Sequence, residues 1–301
     1  MLSHFCLALT FLAGAALLTP PLGRAFTRSF RNGPRLQLAF VIAALLLTIL
    51  NATVILTRAP VLVHDAGIIL TTLVAFVAGS VLLSQRIQPA ADAEKRVVLA
   101  IGAHPDDLEL ACGGTLAKLA DLGHEVHAIV MSHGQVGGDP AERPEEARRA
   151  GAFLGLTSLR VLDYPDTELA GSNTDMVNSI ETVLRELSPD VLFTHSASDQ
   201  HQDHHAVHLA TLRAARHHPS ILCFESPSTT RAFNPNIYFD IAQYIHIKVK
   251  AVEAHKGQTG KPYMKSQQVM GIASFRGSQA KREYAEAFEA VRLLGSSIGG
   301  L

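Results

Sequence analysis

Leu36 to Thr57 is a run of 22 residues without a charged side chain, and Ala66 to Gln85 is a second run of 20. A bilayer's hydrocarbon core takes about 20 apolar residues as helix. Inside it a helix satisfies its own backbone N–H and C=O groups, so runs of this length fold as membrane-crossing helices. Asn51, Thr53 and Gly79 are tolerable within such helices. Met1 to Gly23 is a third uncharged stretch, of 23 residues. It lacks the basic start of a signal peptide and ends in Pro20-Pro21 rather than at a small-residue cleavage site, so it reads as a retained span. The expectation is an anchor over residues 1–86 with two or three transmembrane helices, at 2–22, 36–57 and 62–84.

Charge separates this part from the rest. Residues 1–90 hold six Arg, no Lys and one acid, Asp65, for a net charge of +5; residues 91–301 hold 20 basic and 26 acidic residues, for a net charge of −6. The second part therefore reads as a soluble domain. Arg24, Arg28, Arg31 and Arg35 lie between the first two apolar stretches, whereas the next connection carries only Arg58 with His64 and Asp65. Basic loops stay inside, so a multi-pass protein with its soluble domain facing the cytoplasm is expected. Three cysteines, Cys6, Cys112 and Cys223, show no C-x-x-C spacing, which argues against a disulfide framework and fits a reducing compartment.

Residues 87–95 read as a tether, and 96–301 as the catalytic domain. Strands are expected at 96–102, 126–132, 159–162, 190–194 and 220–225. Helices are expected over 116–122, 142–154 (closed by Gly155), 175–187, 204–215, 241–255 and 278–294. Strands alternating with helical segments of 10–15 residues indicate βαβ units and an α/β domain with a mostly parallel sheet.

Two polar clusters follow apolar runs. Ala103-His104-Pro105-Asp106-Asp107 comes after Val97–Ile101, and Asp199-Gln200-His201-Gln202-Asp203-His204 comes after Val191-Leu192-Phe193. Open α/β sheets build their sites outside the carboxyl ends of the strands. His104 and Asp107 are three apart on a turn, and His204 can complete a two-His, one-carboxylate set from the second strand end. Such a set holds Zn²⁺ with a position open for water, and suits Fe²⁺ as well. Asp106 could take that water's proton as general base. His201 could stabilise an oxyanion or protonate a leaving amine. Asp203 and Asp199 could orient the histidines as outer acceptors. Each cluster alone also has a bland reading: a polar Pro-Asp turn, and a solvated helix start with a favourable first-turn acid. His124, His127, His217 and His218 have no such context and read as surface or core residues. No G-x-G-x-x-G occurs in this region, so dinucleotide binding is not supported, and no nucleic-acid partner is expected.

Ala103-His104-Pro105-Asp106-Asp107-Leu108-Glu109, continuing Leu-Ala-Cys-Gly-Gly-Thr-Leu-Ala, resembles the opening motif of the PIG-L/LmbE-like deacetylases, and His201-Gln202-Asp203-His204 is similar to that family's second motif. The resemblance spans roughly residues 96–294. It implies a Rossmann-like, three-layer fold and Zn²⁺-dependent amide hydrolysis that releases acetate. It also implies His104, Asp107 and His204 as metal ligands, Asp106 as base and His201 as the electrostatic or acid partner. Arg143 is similar to a family arginine that contacts the sugar, and Asp166 to a substrate-binding acid. A plain ion pair of Arg143 with Glu146 on one helix face is the competing reading.

The expected activity is removal of an acetyl group from an N-acetylated amino sugar, with an N-acetylglucosaminyl glycolipid as one form of it. The family's soluble thiol-pathway members have no spans, so the anchor sets this chain apart from them. Two alternatives stand beside this reading: hydrolysis of an amide in a thiol cofactor or antibiotic intermediate, and a membrane-anchored scaffold with a structural metal.

Overall fold

Beyond residue 95 the apolar runs assemble, among the described residues, into one seven-stranded sheet of order β3-β2-β1-β4-β5-β7-β6. The computed structural model describes residues 2–19, 22–87 and 94–295. The strands are β1 (Val97–Gly102), β2 (Glu125–Ser132), β3 (Ser158–Tyr164), β4 (Val191–His195), β5 (Ile221–Phe224), β6 (Ile237–Asp240) and β7 (Ala285–Arg292). β1 to β5 run parallel, with Val98 beside both Val126 and Val191; β7 is antiparallel to β5 and β6. The mostly parallel α/β architecture expected from the alternation holds.

Helices cover both faces, which is why the central strands are apolar on both sides. Leu108, Leu116 and Leu119 of α5 (Asp107–Asp121) join Phe193, Phe224, Phe239 and Phe288 in one buried cluster. Met176, Ile180 and Val183 of α7 (Asn173–Leu187) join Val207 and Ala210 of α8 (Gln202–Ala214) against Leu99, Ile101, Ile129 and Met131 in the other. α6 (Glu142–Leu154) ends at Gly155, whose φ of 89° is the left-handed conformation that favours glycine. The chain leaves β1 toward β2 on one side and toward β4 on the other. That reversal opens a crevice at the carboxyl ends of β1 and β4.

The carboxyl-terminal expectation needs correction. The helix expected over 278–294 is instead the end of α10 (Ser266–Ala280) followed by β7. Ala-Glu-Ala-Phe-Glu-Ala-Val-Arg is rich in helix formers, but intrinsic propensity is a weak prior that tertiary pairing overrides. Here β5 and β6 each supply a ladder, with Phe288 opposite both Phe224 and Ile237. β6 was not anticipated either, and the helix expected over 241–255 shortens to α9 (Ile245–Val252).

The chain divides into two compact units, Met1–Gln88 and Pro89–Leu301. In the first, α1 (Leu2–Leu17) and α2 (Leu22–Ser29) precede α3 (Gly33–Leu56) and α4 (Val61–Gln85). Among the described residues α3 and α4 are long and apolar enough to cross a membrane, and the bent pair of α1 and α2 would be a third crossing if it formed one span. Pro20-Pro21 and most of the expected tether, residues 88–93, lie outside the described residues. Helix association in lipid relies on small residues and interhelical hydrogen bonds. His4 Nδ1 meets Asn51 Oδ1 at 2.5 Å, and Asn51 Nδ2 donates to Thr71 Oγ1 at 3.2 Å, all three side chains being buried.

Candidate metal centre and active site

β1 delivers the chain into a tight turn. The amides of Ala103 and His104 both donate to Asp107 Oδ2, at 3.0 and 2.7 Å, which fixes that carboxylate at the start of α5. Asp106 is forced to φ 117°, a conformation costly for any side chain other than glycine's and characteristic of functional sites. The second cluster follows β4. His201 caps α8, its Nδ1 accepting from the Asp203 amide at 3.2 Å, and places His204 one turn into the helix.

The two predicted ligand histidines are each gripped from behind. His104 Nε2 lies 3.0 Å from Asp203 Oδ2 and 3.0 Å from Asp166 Oδ1, leaving Nδ1 at 3.5 Å from Asp107 Oδ2. His204 Nδ1 lies 2.8 Å from Asp199 Oδ2, leaving Nε2 at 3.2 Å from Asp107 Oδ1. The Asp107 carboxylate thus stands between one free nitrogen of each histidine. A carboxylate on the far ring nitrogen is the arrangement that fixes tautomer and ring direction for metal binding. Two imidazoles and a carboxylate, oriented in this way, are donors of the kind a divalent cation takes. Asp203 also accepts from the amides of Thr167 and Leu169, and Asp199 from Ser228 Oγ and Ser226 Oγ.

Electrostatics follow from this crowding. Burial opposes charge on His104 and His204, yet the carboxylates around them prevail, holding His104 well above the ordinary imidazole value and His204 at about 9. Burial opposes the charge on Asp107 too, but His204, His195 and His104 hold it well below the usual carboxylate range. Asp106 moves the other way: burial and the Asp107 charge push it up to about 6, against the pull of Arg143. Burial and the neighbouring His204 and His104 lower His201, keeping its imidazole neutral.

A cavity of about 290 Å³ opens onto these groups. His104, Asp106, Asp107, His201 and His204 line it, as do Arg143 and Asp166. All five predicted metal and catalytic side chains and both predicted substrate contacts therefore come together. Asp166 differs in one respect: it engages His104 and accepts from the Val136 amide at 2.8 Å, so it is committed to the protein as well as to the cavity. Arg143 is 3% exposed and does not pair with Glu146; it donates to Gly134 O at 2.5 Å and Pro105 O at 2.8 Å, and lies 3.4 Å from Asp106 Oδ1.

Sequence reasoning missed His195. It ends β4, is fully buried, and stacks on His204 at 3.9 Å between ring centroids. Its position at a strand's carboxyl end was the signal that could have found it. Among the described residues, Asp107, His195 and His204 together offer atoms close enough for a metal, as do His104, His201 and His204, and His104, Asp166 and Asp203; the predicted trio of His104, Asp107 and His204 is spread over these groups and is not itself one of them. His195 Nε2 lies 3.1 Å from the Ala103 amide nitrogen and 3.2 Å from Asp107 Oδ2, so the ring is held against the same carboxylate as His204. Tyr263 and Lys261, on the cavity wall, were also missed, because the segment that carries them has no regular periodicity.

Comparisons with known proteins bear on this geometry. The sequence profile of the PIG-L family, described as GlcNAc-PI de-N-acetylase, matches residues 99–215. An uncharacterized deacetylase of Escherichia coli is 38% identical over 170 residues, covering 54% of this chain and 92% of that protein. A diacetylchitobiose deacetylase of Thermococcus kodakarensis is 26% identical over 236 residues, covering 68% of this chain and 85% of that protein. The crystal structure of N,N'-diacetylchitobiose deacetylase from Pyrococcus horikoshii, complexed with its inhibitor, superposes with a TM-score of 0.59 at 25% identity, covering 67% of this chain and 85% of that one. With the histidine–aspartate centre at the switch point of the sheet, these similarities show that the chain belongs to the PIG-L/LmbE-like deacetylase family.

Proposed function

We propose that this chain is a membrane-anchored, metal-dependent hydrolase that removes the acetyl group of an N-acetylated amino sugar, either soluble or lipid-linked. One observation carries the reading: Asp106, strained and raised to about 6, shares a cavity with the His104–Asp107–His204 donor set, yet no free ring nitrogen engages it. A structural metal site needs no such carboxylate. Relatives named as deacetylases, two of them for diacetylchitobiose, support the hydrolase class and an amino-sugar substrate.

His104 Nδ1, Asp107 and His204 Nε2 would hold the cation, Zn²⁺ or Fe²⁺, which supplies Lewis acidity to the attacking water and the acetamide carbonyl. Asp106 is a carboxylate at neutral pH and basic enough to take the water's proton. The same carboxyl is placed to hand that proton to the leaving nitrogen. His201 accepts at Nδ1, so in its neutral form the proton sits on Nε2. That N–H is the chain's donor for the developing oxyanion. Arg143 bridges the turn of Asp106 to the Gly134 loop and keeps the base in place.

The first unit serves as anchor, residues 96–301 form the catalytic domain, and the arginines between the first two apolar stretches put that domain in the cytoplasm. Acetate release from a panel of soluble and lipid-linked N-acetyl sugars, with metal analysis of the purified chain, tests the proposal. Turnover that survives both chelation and Asp106→Ala would overturn it.

A further inference from the structure

Residues 254–282 contain no Asp or Glu but six Lys or Arg, in a catalytic part whose net charge is −6. The segment folds as two short 3-10 turns, Lys256–Gln258 and Pro262–Met264, and α10. A solvated helix ordinarily carries charge on its outer face. α10 does not: its one charged residue, Arg276, is 9% exposed and paired with Glu225 at 2.7 Å. What α10 exposes instead is Met270 at 37%, Ile272 at 45% and Phe275 at 56%, among Gln, Ser and Gly. Lys256 and Lys265 before the helix, and Lys281 and Arg282 after it, are exposed at its ends.

Arg282 pairs with Asp240 at 3.3 Å, whereas Lys256, Lys265 and Lys281 are exposed in a segment without acids of its own. Protruding apolar side chains flanked by exposed lysines are the composition of an interfacial membrane contact. The apolar groups enter the headgroup–acyl boundary and the lysines meet anionic headgroups. A bilayer is also the surface nearest to hand. Only eleven residues, 86–96, separate α4 from β1. A short tether makes the second contact intramolecular, with an effective concentration on the order of millimolar. Weak intrinsic affinity then suffices.

We propose that this face, centred on Ile272 and Phe275, which lie one turn apart on α10, docks on an anionic lipid bilayer and so orients the catalytic domain. Lys261 and Tyr263 belong to the same segment and line the active-site cavity, so docking brings the cavity's rim to headgroup level. The inference rests on the membrane-anchored reading of the first unit.

The test uses the full chain in phosphatidylcholine vesicles with and without phosphatidylglycerol. In a Cys6→Ser background, Phe275→Cys and, as a control on α7, the exposed Arg185→Cys carry an environment-sensitive fluorophore; Cys112 and Cys223 are buried. Headgroup-region nitroxide lipid is expected to quench the probe at 275 severalfold more than at 185, more strongly with phosphatidylglycerol, and less after Lys256→Glu with Lys265→Glu. Equal quenching at the two positions in a chain that resists carbonate extraction would overturn docking while leaving the anchor intact. Chain-to-chain crosslinking through position 275 without lipid quenching would assign the face to a second copy and overturn it as well. Extraction by carbonate would overturn the anchor, and docking with it.

Discussion

Asp199 Oδ2 lies 2.8 Å from His204 Nδ1, and this pairing turns Nε2 of the same ring toward Asp107. Two serine hydroxyls, Ser226 and Ser228, hold Asp199 in turn. The carboxylate does not itself line the cavity and is charged because its partners favour charge: burial opposes it, yet His204 and the serines keep it well below the usual carboxylate range. Asp199→Ala frees His204 to rotate. Metal affinity is expected to fall about 10–100-fold, as for other lost outer-shell partners, with activity restored by excess metal. A metal titration of both forms checks this; unchanged affinity would remove Asp199 from the design.

His195 sits as close to the centre as the proposed ligands do and is nevertheless expected not to bind metal. It is fully buried, stacks on His204, and does not line the cavity, while its Nε2 packs against the Ala103 amide at 3.1 Å and Asp107 Oδ2 at 3.2 Å, which suits a positioning role behind the centre. His195→Ala should leave metal stoichiometry unchanged. It should also cost about 3 kcal/mol or more of stability, as large-to-small changes in cores do. Metal content per chain and thermal melting of the same preparation separate the two effects; halved metal content would make His195 a ligand.

If Asp106 is the base, as proposed, turnover requires it as carboxylate, so rate is lost as pH falls through its pKa. Burial and Asp107 push that value up to about 6, while Arg143, His255 and His104 pull it down. A bound cation adds to the downward pull. The acid limb of kcat/KM is therefore expected at or below about 6, and Asp106→Asn should cost about 10²–10⁴ in kcat with metal retained. A pH–rate profile on any accepted substrate checks both, and an acid limb that persists unchanged in the Asn variant would deny Asp106 the role of base.

Both clusters were legible because each lies immediately beyond an apolar strand, where an α/β sheet builds its sites. Their outer partners were partly legible: Asp199 and Asp203 are near in sequence, whereas Ser226 and Ser228 reach Asp199, and Ser228 also His204, from the loop after β5. β7 was illegible for a physical reason. Its Glu286 is an inward-facing, 4%-exposed charge that breaks any apolar alternation, and it is acceptable only because Lys248, 38 residues earlier, meets it at 2.5 Å. The kink in α5 was hidden in the same way. Cys112 departs from helical φ and ψ, and Glu286 accepts from the Gly114 and Thr115 amides there, at 3.0 and 2.6 Å.

That arrangement makes Lys248 a structural residue remote from the chemistry. Lys248→Met removes one partner of a buried pair and strands Glu286, a change that typically costs about 3–5 kcal/mol. Lys248→Met combined with Glu286→Gln should recover much of the loss, since Gln still accepts from one amide of the α5 kink. Thermal unfolding of the single and double variants checks this; a single variant as stable as the parent would mean the pair is not sealed from water.

Arg143 offers the sharpest division between two roles. The family resemblance makes it a sugar contact, and it does line the cavity. The residue, however, is 3% exposed, and its two terminal nitrogens donate to Gly134 O and Pro105 O beside Asp106. Gly137 leaves room for it, since a Cβ there would lie 2.8 Å from a guanidinium nitrogen. A planar fork that spans two carbonyls cannot be replaced by the point charge of lysine. If the fork positions the base, Arg143→Lys lets the Asp106 turn drift, and a misplacement of about 1 Å can cost about 100-fold in rate. The expected signature is a lowered kcat with KM little changed, and steady-state kinetics on one substrate read it directly. A raised KM at full kcat would mean the lost interaction was uniform binding of the sugar, and would return Arg143 to the substrate.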